Sequence, residues 1–288
     1  MAGISAADVM KLRKMSGQGM MDCKAALAET QGNIEEAMTL LRKKGLATLA
    51  KRAGRETSEG KVVSSVSPDG KSVSMSTLCC ETDFVAKNDD FVATTELLKD
   101  YMAKCDADEG IDNLLGVEVD GKKFSDIITE CVSKSGEKTE IGDYARFTLD
   151  GDGVIGSYIH FNGKIGTMVE IETSNADVAN NEAMQQLATD IAMHIAAVNP
   201  AGLDESSIDP ETIAKEKEIA AEQVKDKPAQ IIDKIVEGKM RKFFADNCLI
   251  DQGFVKDEKI SVGQVVIDTA KKCGGQAKIK RFVRQAIG

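Results

Sequence analysis

Apolar and polar positions along the chain alternate between helical and strand periods, and the changes of period mark its segments. Residues 1–45 read as three short helices. Ser5 caps the first, whose inner face carries Val9 and Leu12 and which Ser16-Gly17 stops. Asp22 is expected to cap the second, which ends at Gly32. Asn33 and Glu36 resemble a capping box for the third, with Ala37, Leu40 and Leu41, and Lys43-Lys44-Gly45 is expected to end it. Residues 46–60 form a basic connector. Two alternating runs, Lys61–Ser67 and Lys71–Cys80, flank Pro68-Asp69-Gly70 and predict a β-hairpin. Val73, Met75, Thr77 and Cys79 share one face of the second run. A helix with Phe91, Leu98, Met102 and Cys105 follows, then one capped by Ser125 that buries Ile127, Ile128, Cys131 and Val132. Thr139–Leu149 alternates again, with Ile141, Ala145, Phe147 and Leu149 on one face.

The pattern then repeats. Val154–Phe161 and Lys164–Thr173 are strands joined by Asn162-Gly163, a strong hairpin signal. A single helix is expected from Asp177 to Val198, ended by Asn199-Pro200. A hairpin before a helix in both halves hints at a duplication. Asp209 and Pro210 open a helical hairpin over 209–246 that turns at Lys225–Pro228. Its first arm has only a thin apolar stripe, Ile213, Ala220 and Val224, so the pair should project from the body. A last helix, Ser261–Cys273, precedes a basic strand with Lys278, Lys280, Arg281 and Arg284, whose charges on both faces suit a sheet edge. The fold class is α+β: an N-terminal three-helix domain with its linker (1–54), a two-part core with antiparallel sheets (55–150 and 151–288), and the protruding helical hairpin within the second part.

The chain has 288 residues and a net charge of −10, which argues against bulk binding to nucleic acid or an anionic membrane. Its seven cysteines form no C-x-x-C pair, and reduced core thiols in a cytoplasmic protein are expected. Chemistry is hard to find. Gly151, Gly153 and Gly156 spell G-x-G-x-x-G, but strand-like residues follow, so the motif reads as a hairpin turn. Gly116 to Lys122 spells G-x-x-x-x-G-K, but Lys123 stands where a phosphate-binding loop needs Ser or Thr. His160 and His194 are the only histidines. His194 falls at the border of a helix's apolar face and is expected to find a backbone or carboxylate partner. No nucleophile, base and oxyanion site assemble, so no enzyme, cofactor or metal site is expected.

The stretch that organises the chain is Cys79 to Phe91. Its strand-to-helix turn, Glu81, Thr82, Asp83, Phe84 and Val85, sets an apolar ring beside a carboxylate. Either Asp83 caps the next helix over a packed Phe84, or the pair enters a partner. Met20 and Met21 likewise either close the small N-terminal core or serve a partner.

Four stretches, in one order, resemble bacterial translation elongation factor Ts. They are Val9–Leu27; the turn Glu81–Lys87 (Glu-Thr-Asp-Phe-Val-Ala-Lys), with Glu where many members have Gln; Asp190–Ala197, with Asp190 replacing a His; and Val236–Phe243 (Val-Glu-Gly-Lys-Met-Arg-Lys-Phe). The resemblance implies a ubiquitin-associated-like (UBA-like) three-helix domain, a two-part α+β core and a coiled-coil hairpin. It implies a non-enzymatic guanine nucleotide exchange factor that binds elongation factor Tu in its GDP-bound and nucleotide-free forms. Thr82, Asp83, Phe84 and Val85 would then enter the GTPase near its magnesium and phosphates, and Met20, Met21 and Lys24 would contact the GTPase domain. Ile165, Gly166 and His194 match core positions that face the partner. A homodimer or 2:2 complex through the helical hairpin is a further expectation. The competing reading is a non-catalytic adaptor for ubiquitin-like proteins. Some members carry a further C-terminal module that nothing after the basic strand resembles.

Overall fold

Helices α1 (Ala6–Ser16), α2 (Met20–Glu29) and α3 (Ile34–Lys51) open the chain in the computed structural model, which describes residues 4–225 and 227–288. Ser5 Oγ accepts from Asp8 N (3.1 Å), and Gly17, left-handed at φ 68°, ends α1. Gly19, not Asp22, occupies the cap of α2; Asp22 sits inside the first turn, where its charge favours the helix dipole. Val9, Leu12, Cys23, Ala26, Leu27, Ala37 and Leu41 form the core of this unit. The third helix does not stop at Lys43-Lys44-Gly45. A Cβ on Gly45 would lie 2.8 Å from Thr129 O, so this glycine permits a close helix crossing rather than ending a helix. Packing against that neighbour carries the helix through much of the expected connector.

The next unit comprises β1 (Glu59–Val66), β2 (Ser72–Cys80), α4 (Asp83–Ala86), α5 (Asp89–Lys104), α6 (Ile111–Gly116), the short strands β3 (Glu118–Val119) and β4 (Lys122–Lys123), α7 (Phe124–Ser135) and β5 (Thr139–Thr148). Strands β1, β2 and β5 form an antiparallel sheet in that order. Leu78, Cys80, Ile141 and Tyr144 face α5 and α7, joining Phe91, Leu98, Met102, Phe124 and Val132 in one core. Ser125 does not cap α7; Lys123 holds that position with no side-chain cap bond. The single face expected of β5 is split. Between the pairs Ser76–Tyr144 and Leu78–Ile141 that strand has one extra residue. This bulge, at which Asp143 N donates to Thr77 Oγ1 (2.8 Å), leaves Ile141 toward the helices but turns Ala145 and Phe147 to the opposite face.

The second unit comprises β6 (Gly153–Ile159), β7 (Ile165–Thr173), α8 (Ala176–Ala179), α9 (Glu182–Val198), α10 (Pro210–Glu222), α11 (Ala229–Asn247), β8 (Gly253–Phe254), β9 (Asp257–Ser261), α12 (Val262–Lys272) and β10 (Ala277–Ala286). Its antiparallel sheet runs β10-β7-β6, so the basic strand is an edge, as its charges imply. The helix expected from Asp177 is broken: Asn175 caps α8 and Asn181 caps α9. The first unit has the same plan, with Thr82 capping α4 and Asn88 capping α5. The glycines of the G-x-G-x-x-G match form no hairpin turn, because β5 and β6 belong to different sheets. Gly156 instead admits α9, since a Cβ there would lie 2.2 Å from Ala188 O.

The two sheets face each other through Val62, Val73, Met75, Cys79, Phe147 and Met168, with helices on both outer faces. Buried Glu170 on β7 binds Lys280 (3.0 Å) and Arg281 (2.6 Å), and Arg281 lies 4.2 Å over the Phe147 ring of the facing sheet. The arms α10 and α11 bury Ala220, Val224, Val236 and Met240 between themselves. Asp226, in their turn, lies outside the described residues. Among the described residues, six cysteines are buried and one is half-buried, none of them paired; no His, Cys, Asp and Glu cluster is arranged for a metal; and no helix is long and apolar enough to cross a membrane.

Candidate functional site

The turn after β2 is a one-turn helix. Thr82, in extended conformation, is its cap: Oγ1 accepts from Val85 N (3.4 Å) and donates to Glu137 (2.9 Å to Oε1), while Thr82 N donates to Glu137 Oε2 (3.1 Å). At about 100° per residue, a turn that sets Val85 and Ala86 against the α5–α7 core turns Phe84 outward. Phe84 is 82% exposed. The alternative in which Asp83 caps a helix over a packed Phe84 is therefore excluded: Thr82 caps, and the ring is in solvent. Asp83 pairs with Lys87 one turn on (2.6 Å), whose hydrogen bond holds the Asp83 carboxyl below its usual range.

Two glutamates brace this turn. Glu81 accepts two bonds from Arg52 Nη1 (2.8 and 2.7 Å) and one from Lys138 N (2.7 Å). Burial opposes its ionised form, but those hydrogen bonds outweigh burial and hold its pKa below normal. Arg52 lies at the end of α3, in the stretch expected to be a basic connector, so one salt bridge ties the N-terminal helices to the residue that opens this turn. The Cys80 thiol donates to Thr82 O (3.3 Å); burial, then the nearby Glu137 charge, push it up to about 12. It is a neutral packing group and no nucleophile.

The other expected contact residues are scattered. Met20, Met21 and Lys24 are exposed on the first turns of α2, so the two methionines do not close the N-terminal core. Ile165 is half-buried. Gly166 is buried, and a Cβ on it would lie 2.4 Å from Val62 Cγ1, so it serves the contact between the sheets. His194 is wholly buried rather than at a border. Its Nδ1 accepts from Val255 N (3.2 Å) and its Nε2 sits 3.0 Å from Gln252 Oε1, which makes Nε2 the protonated nitrogen. Burial pulls its pKa below 6.5, against the raising effect of Gln252. Gly166 and the His194 ring are buried and present no contact surface, while Val255, whose N–H bonds to His194, is exposed.

The sequence reading missed the bracing pair Arg52–Glu81, whose one signal was the Glu in place of Gln. It also missed Phe161, next to the Asn-Gly turn and 92% exposed.

A profile of the family described as "Elongation factor TS" matches residues 81–288. The chain is 44% identical over 287 residues to the elongation factor Ts of a Nitratiruptor species, covering 99% of this chain and 93% of the relative. It is 39% identical to that of Desulfovibrio desulfuricans, covering 99% and 98%, and 40% identical to that of Clostridioides difficile, covering 100% and 94%. With matches of this extent, over a fold that carries the exposed and braced Thr-Asp-Phe-Val turn, the chain belongs to the elongation factor Ts family.

Proposed function

We propose that this protein is the guanine nucleotide exchange factor of elongation factor Tu in the cytoplasm: it binds the GDP form, promotes GDP release during translation elongation and catalyses no covalent step. The observation that carries this reading is Phe84, an aromatic ring 82% exposed on a short, doubly braced helix, beside the carboxylate of Asp83. A ring so placed supplies apolar volume to part the packed elements around a nucleotide. The adjacent charge is unfavourable beside phosphate and magnesium and tolerated once they leave. Both therefore favour the empty GTPase, and by linkage the factor weakens GDP as much as GDP weakens the factor.

A 10⁴-fold shift in nucleotide affinity needs about 5.5 kcal/mol of differential binding. One turn does not provide that alone, so Met20, Met21 and Lys24 on α2 and the half-buried Ile165 are assigned to the same interface. The helical hairpin is an accessory or self-association surface, with Ile219 and Ile231 partly exposed on its two arms. The adaptor reading gains nothing from Phe84, which lies outside the N-terminal helices.

The test is release of fluorescent GDP from purified elongation factor Tu. The expected result is an acceleration that rises and saturates with this protein. No acceleration at any concentration, with a folded factor and an active GTPase, refutes the reading.

A further inference from the structure

Phe161 is the most exposed large apolar side chain among the described residues, and it is presented rather than loose. The turn that carries it closes with Gly163 N donating to His160 O (2.8 Å), with Gly163 left-handed at φ 71°. This sets Phe161 and Asn162 at the tip of the β6–β7 hairpin. The ring packs on His160 with centroids 4.4 Å apart, and His160 Nδ1 is 3.0 Å from Tyr158 Oη. The hairpin is in turn fastened to the other sheet: Val62 N donates to Gly163 O (2.8 Å), and Lys164 pairs with Glu59 (2.7 Å).

That attachment fixes where the tip lies. Glu59 is paired with Cys80, the last residue of β2, and Phe84 follows Cys80 by four positions. The two exposed rings thus stand at the same end of the paired sheets, on either side of the start of β1. Two strand spacings and the reach of two turns put them on the order of 20 Å apart. A standard interface covers about 800 Å² on each partner, a patch roughly 30 Å across, and spans both. A supported ring at the tip of a pinned turn also loses little freedom on docking, which is what an anchor needs.

We propose that Phe161 is a second aromatic anchor for the same GTPase, seated in a shallow apolar pocket outside the nucleotide site and contributing affinity rather than nucleotide expulsion. This rests on the exchange-factor reading, and the two fail separately. The experiment follows fluorescent GDP release from elongation factor Tu against the concentration of the full-length protein. Phe161→Ala, Phe161→Leu and Phe84→Ala are compared with the parent, with a melt and a sedimentation run on each.

Truncating an interface aromatic of this kind is expected to raise the half-saturating concentration about tenfold or more. The maximal rate should stay within about twofold, and Leu should recover most of the loss. Phe84→Ala should instead lower the maximal rate. Unchanged half-saturation in Phe161→Ala, with Phe84→Ala impaired, overturns the anchor and leaves the exchange reading intact. No effect of either removes both. A changed mass of the isolated protein with unchanged half-saturation assigns the ring to self-contact and also overturns the proposal.

Discussion

Replacing Phe84 by alanine separates a ring that enters a partner from a ring that holds this fold together. Phe84 is 82% exposed, so of an aromatic surface of about 200 Å² only on the order of 40 Å² is covered. At about 25 cal/mol per Å² its removal costs the protein about 1 kcal/mol. For a chain of this size that is a fall in Tm of about 2–4 °C. The same arithmetic in a complex gives a different answer. Burying the remaining surface of roughly 160 Å² is worth about 4 kcal/mol, two to three orders of magnitude in a rate or affinity. The ring is proposed to favour the empty GTPase over the GDP form, so most of that loss should fall on the GDP-release rate. Binding to nucleotide-free GTPase should weaken with it, and binding to the GDP form should weaken less. The assay is a calorimetric melt and a fluorescent-GDP release trace on one preparation. A buried phenylalanine truncated to alanine costs about 3–5 kcal/mol. A fall in Tm on that scale, with normal release per folded molecule, refutes the argument.

Three further outcomes are expected. Arg52→Ala strips Glu81 of two hydrogen bonds and should lower stability by about 1–2 kcal/mol and the maximal exchange rate with it, by melt and GDP release; unchanged values of both count against the bracing role. Replacing Glu211–Phe244 by a short Gly-Ser turn should leave the two sheets folded, because the arms bury their apolar residues against each other; global loss of structure by circular dichroism would contradict this. His194 has a folded-state pKa below 6.5, so on acidification the unfolded chain takes up a proton first. Its contribution is complete above about pH 6.5 and is lost as pH falls toward the folded pKa, at no more than about 1.4 kcal/mol per unit. The slope of Tm between pH 7 and 5.5 should be shallower in His194→Gln, and equal slopes in the two proteins would refute this.

Most elements were legible in the sequence because their signals are local. Ser5 and Asn33 cap helices, Pro68-Asp69-Gly70 and Asn162-Gly163 turn hairpins, and Asp209-Pro210 opens the long hairpin, each through bonds within a few residues. The alternation in β2 was enough to assign its two faces. The Thr-Asp-Phe-Val turn was also visible, as an aromatic beside a carboxylate where a strand gives way to a helix. Whether Phe84 points in or out was not, since that depends on which side of a four-residue helix meets the α5–α7 core. Long-range contact decided the rest. Gly45 reads as a helix stop until α7 packs on it, and Arg52 reads as a solvated linker charge until the extended α3 brings it to Glu81. The bulge in β5 redirects Ala145 and Phe147 toward a sheet that is contributed by later sequence. His194 became an interior residue because Gln252 and Val255, some 60 positions away, close over it. Sequence period and capping chemistry determine which residues form an element. Which face is buried, and what a charge meets there, is settled only when elements distant in the chain compete for the same apolar surface and the same hydrogen bonds.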